Sequence, residues 1–135
     1  MTSVLLRHAS AVDRDRWPVA DRLRPLDGRG RRQAAALVEI LTPLGVRRVV
    51  SSPYVRCIET VQPLAAALEV PVEPDHRLAE GAGPAALELL RQDGVVCCTH
   101  GDIVEAVIGR SLKKGAAVVL RDGAVVQKIR APKPG

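Results

Sequence analysis

Phenylalanine is absent from this chain, which has a single tryptophan, Trp17, and a single tyrosine, Tyr54. That scarcity argues against a base-stacking platform for single-stranded nucleic acid, which depends on aromatic faces, and so against a nucleic-acid partner. The core has to come from Val, Leu, Ile and Ala. Cysteine is also scarce: Cys57, Cys97 and Cys98 supply neither a disulfide framework nor a CxxC pair, and reduced, buried thiols are expected. No apolar run approaches the ~18–20 residues needed to span a bilayer, and the N-terminus has no long apolar stretch with a cleavage site. The expectation is a soluble, cytoplasmic protein without a membrane partner.

What is present is enough for one hydrophobic core, since 47% of the 135 residues are hydrophobic. A single domain is expected over residues 1–130, followed by a flexible tail, 131–135, reading "APKPG". The net charge of +5 is unevenly spread: residues 1–32 carry eight Arg against four Asp, residues 110–135 carry seven Lys or Arg against one Asp, and the middle is acidic. Basic ends attract phosphate on any carrier, although charge alone favours a solvated basic surface.

The apolar pattern alternates between strand and helix. Val4 to Leu6 reads as a short central strand, followed by the long polar loop "RHASAVDRDRWPVADRLRPLDGRG". A helix is predicted over about 28–44, with Asp27 as its N-cap, Ala34, Leu37, Val38 and Leu41 on one face, and Gly45 closing it. "VRRVVSS" is a second strand. "PYVRCIETVQPLAAALEV" is a second helix with Pro53 in its first turn and Pro63 as a candidate kink. "VPVEP" and "GVVCCTH" are further strands, "GPAALELLRQDG" a short helix from Pro84 to Gly94, and about 103–108 another. Asp122-Gly123 favours a type I′ hairpin between two closing β runs. The predicted fold is α/β: a three-layer α/β/α sandwich whose mostly parallel sheet ends in a C-terminal antiparallel hairpin.

Ligands of open α/β sheets sit beyond the carboxyl ends of the strands. By that rule Arg7-His8, Arg56 in "SSPYVR" and Thr99-His100-Gly101-Asp102 share one rim. Two arginines offer planar forks of donors to phosphate oxygens, and a neutral imidazole among them is a competent nucleophile. This rim carries no cluster of Asp and Glu suited to Mg²⁺, so neither a metal nor another cofactor is expected.

These segments resemble a known family. "LLRHASA" resembles the Arg-His-Gly signature of the histidine phosphatase superfamily, "SSPYVRCIET" its second-strand Ser-Ser/Asp-x-x-x-Arg-x-x-x-Thr motif, and "CCTHGD" its late His-Gly motif. The match runs in order from residue 4 to about 108 and implies a phosphoglycerate-mutase-like fold. It also implies a metal-independent phosphohydrolase in which His8 becomes phosphohistidine while Arg7, Arg56 and His100 hold the phosphoryl group. Ser10 and Gly101 are the implied substrate-binding positions, and Glu80 stands where many members carry the proton-transferring acid. Ala9 replaces the usual Gly, which resembles the SixA-like branch and the histidine phosphatase domains joined to Nudix hydrolases. Its backbone N–H is expected to stay free for phosphate. The short stretch 74–93 implies an open site, hence a bulky or protein-borne substrate such as protein phosphohistidine. A nucleotide or another small phosphate ester, and a non-catalytic phosphate-binding module, are the competing readings.

The remaining polar residues carry milder expectations. His76 reads as exposed, Thr60 as support from the second helix, and Asp102 as a helix cap. Arg14, Arg16, Arg22 and Arg24 read as solvated loop cations, and Trp17 as a local packing anchor.

Overall fold

In the computed structural model, which describes residues 1–133, the apolar runs become strands of one mixed sheet. They are β1 (Thr2–Arg7), β2 (Arg48–Ser51), β3 (Val72–Pro74), β4 (Val95–Thr99), β5 (Ala117–Arg121) and β6 (Ala124–Ile129). Their spatial order is β3-β2-β4-β1-β5-β6. The first four strands run parallel, β5 lies antiparallel to β1, and β6 antiparallel to β5. β1 and β4 hold the centre and are buried on both faces, which is why Val4–Leu6 and Val95–Cys98 are apolar throughout.

Alternation along the strands divides the core into two layers. Val4, Leu6 and Cys98 pack beneath α1 (Gly28–Leu41) and α2 (Val55–Leu68). Leu5 and Cys97 pack on the opposite face against α3 (Gly101–Ile108) and the segment Gly83–Arg91. The three layers, the hairpin and the opposed faces of Cys97 and Cys98 therefore stand as the sequence suggests. Asp122 and Gly123 both have positive φ, 51° and 84°, as a type I′ turn requires.

The boundaries shift for local reasons. α1 stops at Leu41 because Pro43 has no N–H to continue the ladder, and Thr42–Leu44 form a 3-10 turn that Gly45 closes at φ 76°. α2 begins at Val55, so Pro53 precedes the helix, which then runs through Pro63. The stretch Gly83–Arg91 is a 3-10 helix and not an α-helix. Of the segment expected to be a flexible tail, Ala131 packs against the second core layer and the Pro132 carbonyl accepts from Gln33 Nε2 at 3.2 Å. Residues 134 and 135 lie outside the described residues.

The long loop after β1 is folded. It contains 3-10 turns at Arg14–Arg16 and Asp21–Leu23, and an Ala11–Leu26 bridge draws its ends together. Arg24, read from sequence as solvated, is buried: Nε donates to Asp21 Oδ1 at 2.9 Å and Nη1 to the Val12 carbonyl at 2.7 Å. Among the described residues no helix is long and apolar enough to cross a membrane.

Candidate active site

Strand register brings the site together. Arg7 lies opposite Thr99, and the His8 N–H donates to the Thr99 carbonyl at 3.0 Å. His8 and His100 thus emerge side by side from β1 and β4, with ring centroids 5.6 Å apart. On the far side of β4, the Ser52 N–H donates to the Cys98 carbonyl, which places Ser52 beside His100.

His8 Nδ1–H donates to the Ala9 carbonyl at 2.8 Å, leaving the lone pair on Nε2. Burial pushes the ring pKa down to about 3; the Ala9 hydrogen bond opposes this, and Arg56, His100 and Arg7 add to it. The imidazole is therefore neutral near pH 7, as a nucleophile must be. His100 Nε2 pairs with Ser52 Oγ at 2.8 Å, and Ser52 Oγ also accepts from the Tyr54 N–H at 3.2 Å. With the serine hydroxyl donating to Nε2, the His100 proton sits on Nδ1.

The arginines arrive from opposite sides. Arg7 Nη1 donates to the Leu112 carbonyl at 2.7 Å, and the guanidinium lies across the start of α3. A Cβ on Gly101 would stand 3.1 Å from Arg7 Cζ, so the glycine leaves room for that approach. Arg56, in the first turn of α2, is fully buried and its Nη1 and Nη2 donate to the carbonyl and carboxylate of Asp21. Among the described residues, the buried side-chain nitrogens and oxygens lacking a hydrogen-bond partner are Arg7 Nε, Arg56 Nε and His100 Nδ1. All three belong to residues lining one cavity of about 570 Å³ that His8 shares.

Glu80 stands at the rim of the same cavity, 3.8 Å from Arg56 Nη2 and 3.7 Å from Arg14 Nη2. Its segment is held by Asp102, whose Oδ2 accepts from the Gly81 N–H at 2.8 Å. Asp102 thus ties a loop down where a helix cap was expected. His76 is exposed, as expected.

The turn after His8 is more fully bonded than the sequence suggests. Ser10 lies off the His8 cavity and on the neighbouring groove, and its hydroxyl donates to Asp27 Oδ2 at 2.8 Å. The Ala9 N–H is not free for phosphate: it donates to Thr60 Oγ1 at 3.0 Å, and the Ser10 N–H donates to Gln33 Oε1 at 3.0 Å. The Ser10 contacts follow from how closely α1 approaches the turn after His8, whereas Thr60 comes from α2. A Cβ on Gly30 would fall 1.8 Å from the Ser10 carbonyl oxygen, so only glycine permits this packing. Thr60 does support the site from α2, since it also donates to the Arg56 carbonyl at 2.7 Å.

Sequence reading missed Asp21, Ser52 and Lys114. Ser52 stands inside the SSPYVRCIET motif already noted, whereas Asp21 reaches Arg56, and Lys114 the cavity, only through loop folding. Among the described residues, no group of three or more His, Cys, Asp or Glu is arranged to hold a metal ion.

The model of the histidine phosphatase superfamily (branch 1) matches residues 3–86. The chain belongs to that superfamily. An 8-oxo-(d)GTP phosphatase of Mycolicibacterium smegmatis is 36% identical over 116 residues; the match covers 79% of this chain and 36% of that protein's length. Among solved structures, a SixA protein of Agrobacterium tumefaciens aligns with TM-score 0.78 at 20% identity, covering 97% of this chain and 98% of that one. The protein histidine phosphatase SixA complexed with tungstate aligns at 0.75 and 21% identity, covering 96% and 97% of the two chains. A mycobacterial glucosyl-3-phosphoglycerate phosphatase complexed with VO3 aligns at 0.71 and 16%, covering 98% and 99%. These likenesses establish the phosphoglycerate-mutase-like fold. Within this histidine phosphatase chain, Arg7, His8, Arg56, His100, Gly101 and Glu80 all border one cavity, and Ser10 stands outside it.

Proposed function

We propose that this chain is a phosphohydrolase that transfers a phosphoryl group first to His8 Nε2 and then to water. The observation that carries the reading is one cavity on which a neutral His8 imidazole meets Arg7, Arg56 and His100. Two guanidinium groups and a second imidazole beside that ring suit the oxygens of a phosphoryl group.

The chemistry follows from the geometry. His8 Nε2 attacks phosphorus, the N–P bond forms, the P–O bond breaks, and the departing oxygen takes its electron pair and a proton from the Glu80 carboxyl. Nδ1–H stays on the Ala9 carbonyl, which stabilises the positive phosphoimidazole. Water then attacks phosphorus as Glu80 accepts its proton, the N–P bond breaks, and phosphate leaves with His8 restored. Arg7, Arg56 and His100 Nδ1–H hold the equatorial oxygens through both steps.

For the substrate, we place a small phosphate ester of the nucleotide class before protein phosphohistidine. The 8–27 loop folds over the cavity through Asp21 and Arg24, which favours a compact ligand. The 36% identity to a protein named for a nucleotide supports the same class, whereas the likeness to SixA is one of fold. Wild type and His8→Ala should be compared on nitrophenyl phosphate, nucleoside phosphates and a phosphohistidine peptide in EDTA. Turnover with acid-labile phosphate on the wild-type protein, and none in the variant, is expected; full activity in His8→Ala overturns the proposal.

A further inference from the structure

Beside the His8 cavity lies a second groove of about 410 Å³ that shares Arg7 and Lys114 with it. Its other charged residues are Arg29 and Lys113, and no acidic residue lines it among the described residues. Arg29, Lys113 and Lys114 are exposed and take part in no ion pair among the described residues. Asp27 is the nearby carboxylate, already accepting from the Gly30 N–H and the Ser10 hydroxyl. Here the basic ends noted in the sequence meet, Arg7 and Arg29 from one and Lys113 and Lys114 from the other.

The lysines are not loosely tethered. The Gly115 N–H donates to the carbonyls of both Arg7 and His8, at 3.1 and 2.9 Å, and the Ala116 N–H closes a turn on the Lys113 carbonyl. The lysine turn is therefore pinned to the two residues that carry the phosphoryl chemistry. Arg7 and Arg56 already face the His8 cavity, whereas Arg29 and Lys113 line only the outer groove, away from a single phosphate on His8.

We propose that the groove of Arg29, Lys113 and Lys114 is a second anion subsite. It takes the adjoining phosphates of a polyphosphate chain, free or borne by a nucleoside, whose terminal phosphoryl group sits at His8. The inference rests on the phosphohydrolase reading for its placement of that terminal group. Lys114 bridges the two pockets, while Arg29 and Lys113 touch only the outer one.

Calorimetry on the His8→Ala protein, which removes turnover, tests the subsite apart from the chemistry. Inorganic tripolyphosphate and a nucleoside triphosphate are expected to bind at least about tenfold tighter than inorganic phosphate, and Arg29→Ala/Lys113→Ala to erase that margin while leaving phosphate binding unchanged. Equal affinities of the nucleoside and inorganic forms assign recognition to the phosphate chain, and tighter nucleoside binding that the double variant still weakens adds a contact to the nucleoside. Equal affinity for phosphate and tripolyphosphate, or a margin that survives the double substitution, overturns the subsite. Failure of the wild-type protein to hydrolyse any phosphate ester, with the margin intact, overturns the phosphohydrolase reading and leaves the subsite standing.

Discussion

Asp21 closes on Arg56 from the loop above it: Arg56 Nη2 donates to Asp21 Oδ2 at 3.1 Å and Nη1 to the Asp21 carbonyl at 3.0 Å. Arg56 is 1% exposed and the Asp21 side chain 34%, so one partner is dry and the other partly solvated. Partial burial opposes ionisation of Asp21, but hydrogen bonds and charge from Arg24 and Arg56 prevail and hold its carboxyl below the usual range. Asp21→Asn leaves Arg56 without its counter-charge and is expected to cost about 1–2 kcal/mol after allowance for solvent screening. Inorganic phosphate should then raise the melting temperature of the variant more than that of wild type. Equal increments in a thermal melt would remove Arg56 from the phosphate site.

Stability should depend on pH through His8. Its folded pKa is about 3, depressed mainly by burial, whereas the unfolded chain titrates near ~6.5. The unfolded chain thus binds the extra proton between those values. The group's contribution is complete above about pH 6.5 and is lost as pH falls toward about 3, amounting to about 2 kcal/mol between ~pH 7 and ~pH 5. Denaturant melts at the two pH values, repeated with His8→Asn, check this. The variant should lose that part of the slope.

Glu80→Gln should separate proton transfer from binding. Phosphorylation of His8 by an alkyl phosphate, whose leaving oxygen needs a proton, is expected to slow by about 10²-fold. Phosphorylation by nitrophenyl phosphate should slow far less, because nitrophenolate leaves without help. Single-turnover rates with both esters decide, and equal losses would make Glu80 a binding residue only.

Ser52 acts through His100. Ser52→Ala removes the hydroxyl that fixes Nε2, and kcat/KM is expected to fall about tenfold as the ring loses its single tautomer. Imidazole ¹⁵N shifts report the same event directly. Wild type should show a proton on His100 Nδ1, and the alanine variant a mixture.

Residues whose positions follow from strand ends were readable without a structure. Arg7, His8 and His100 stand where short apolar runs stop, and Arg56 lies one helical turn beyond another. Positions set by packing between distant segments were not. The Ala9 and Ser10 amides look free until Thr60 and Gln33 arrive from two helices, and α1 comes that close only because Gly30 lacks a side chain. Arg24 reads as a surface cation because nothing local announces that Asp21 and the Val12 carbonyl will enclose it. Lys114 enters the site through a backbone bond made by its neighbour, Gly115. The family motifs therefore located four residues of the candidate site, and the loops that close over them became visible only in three dimensions.

The occupied amides after His8 have a consequence for how this chain could diversify. With both N–H groups consumed by the helices, the wall behind His8 is inert scaffold, and discrimination between ligands passes to the parts that overhang it. Those parts are the 8–27 loop, the Glu80 segment and the lysine turn, each fastened by a few polar bonds and by one or two core anchors, Leu26, Leu78 and Leu112 among them. They behave as exchangeable fittings on a fixed reaction centre, open to being lengthened, recharged or replaced while the sheet that aims His8 stays unaltered.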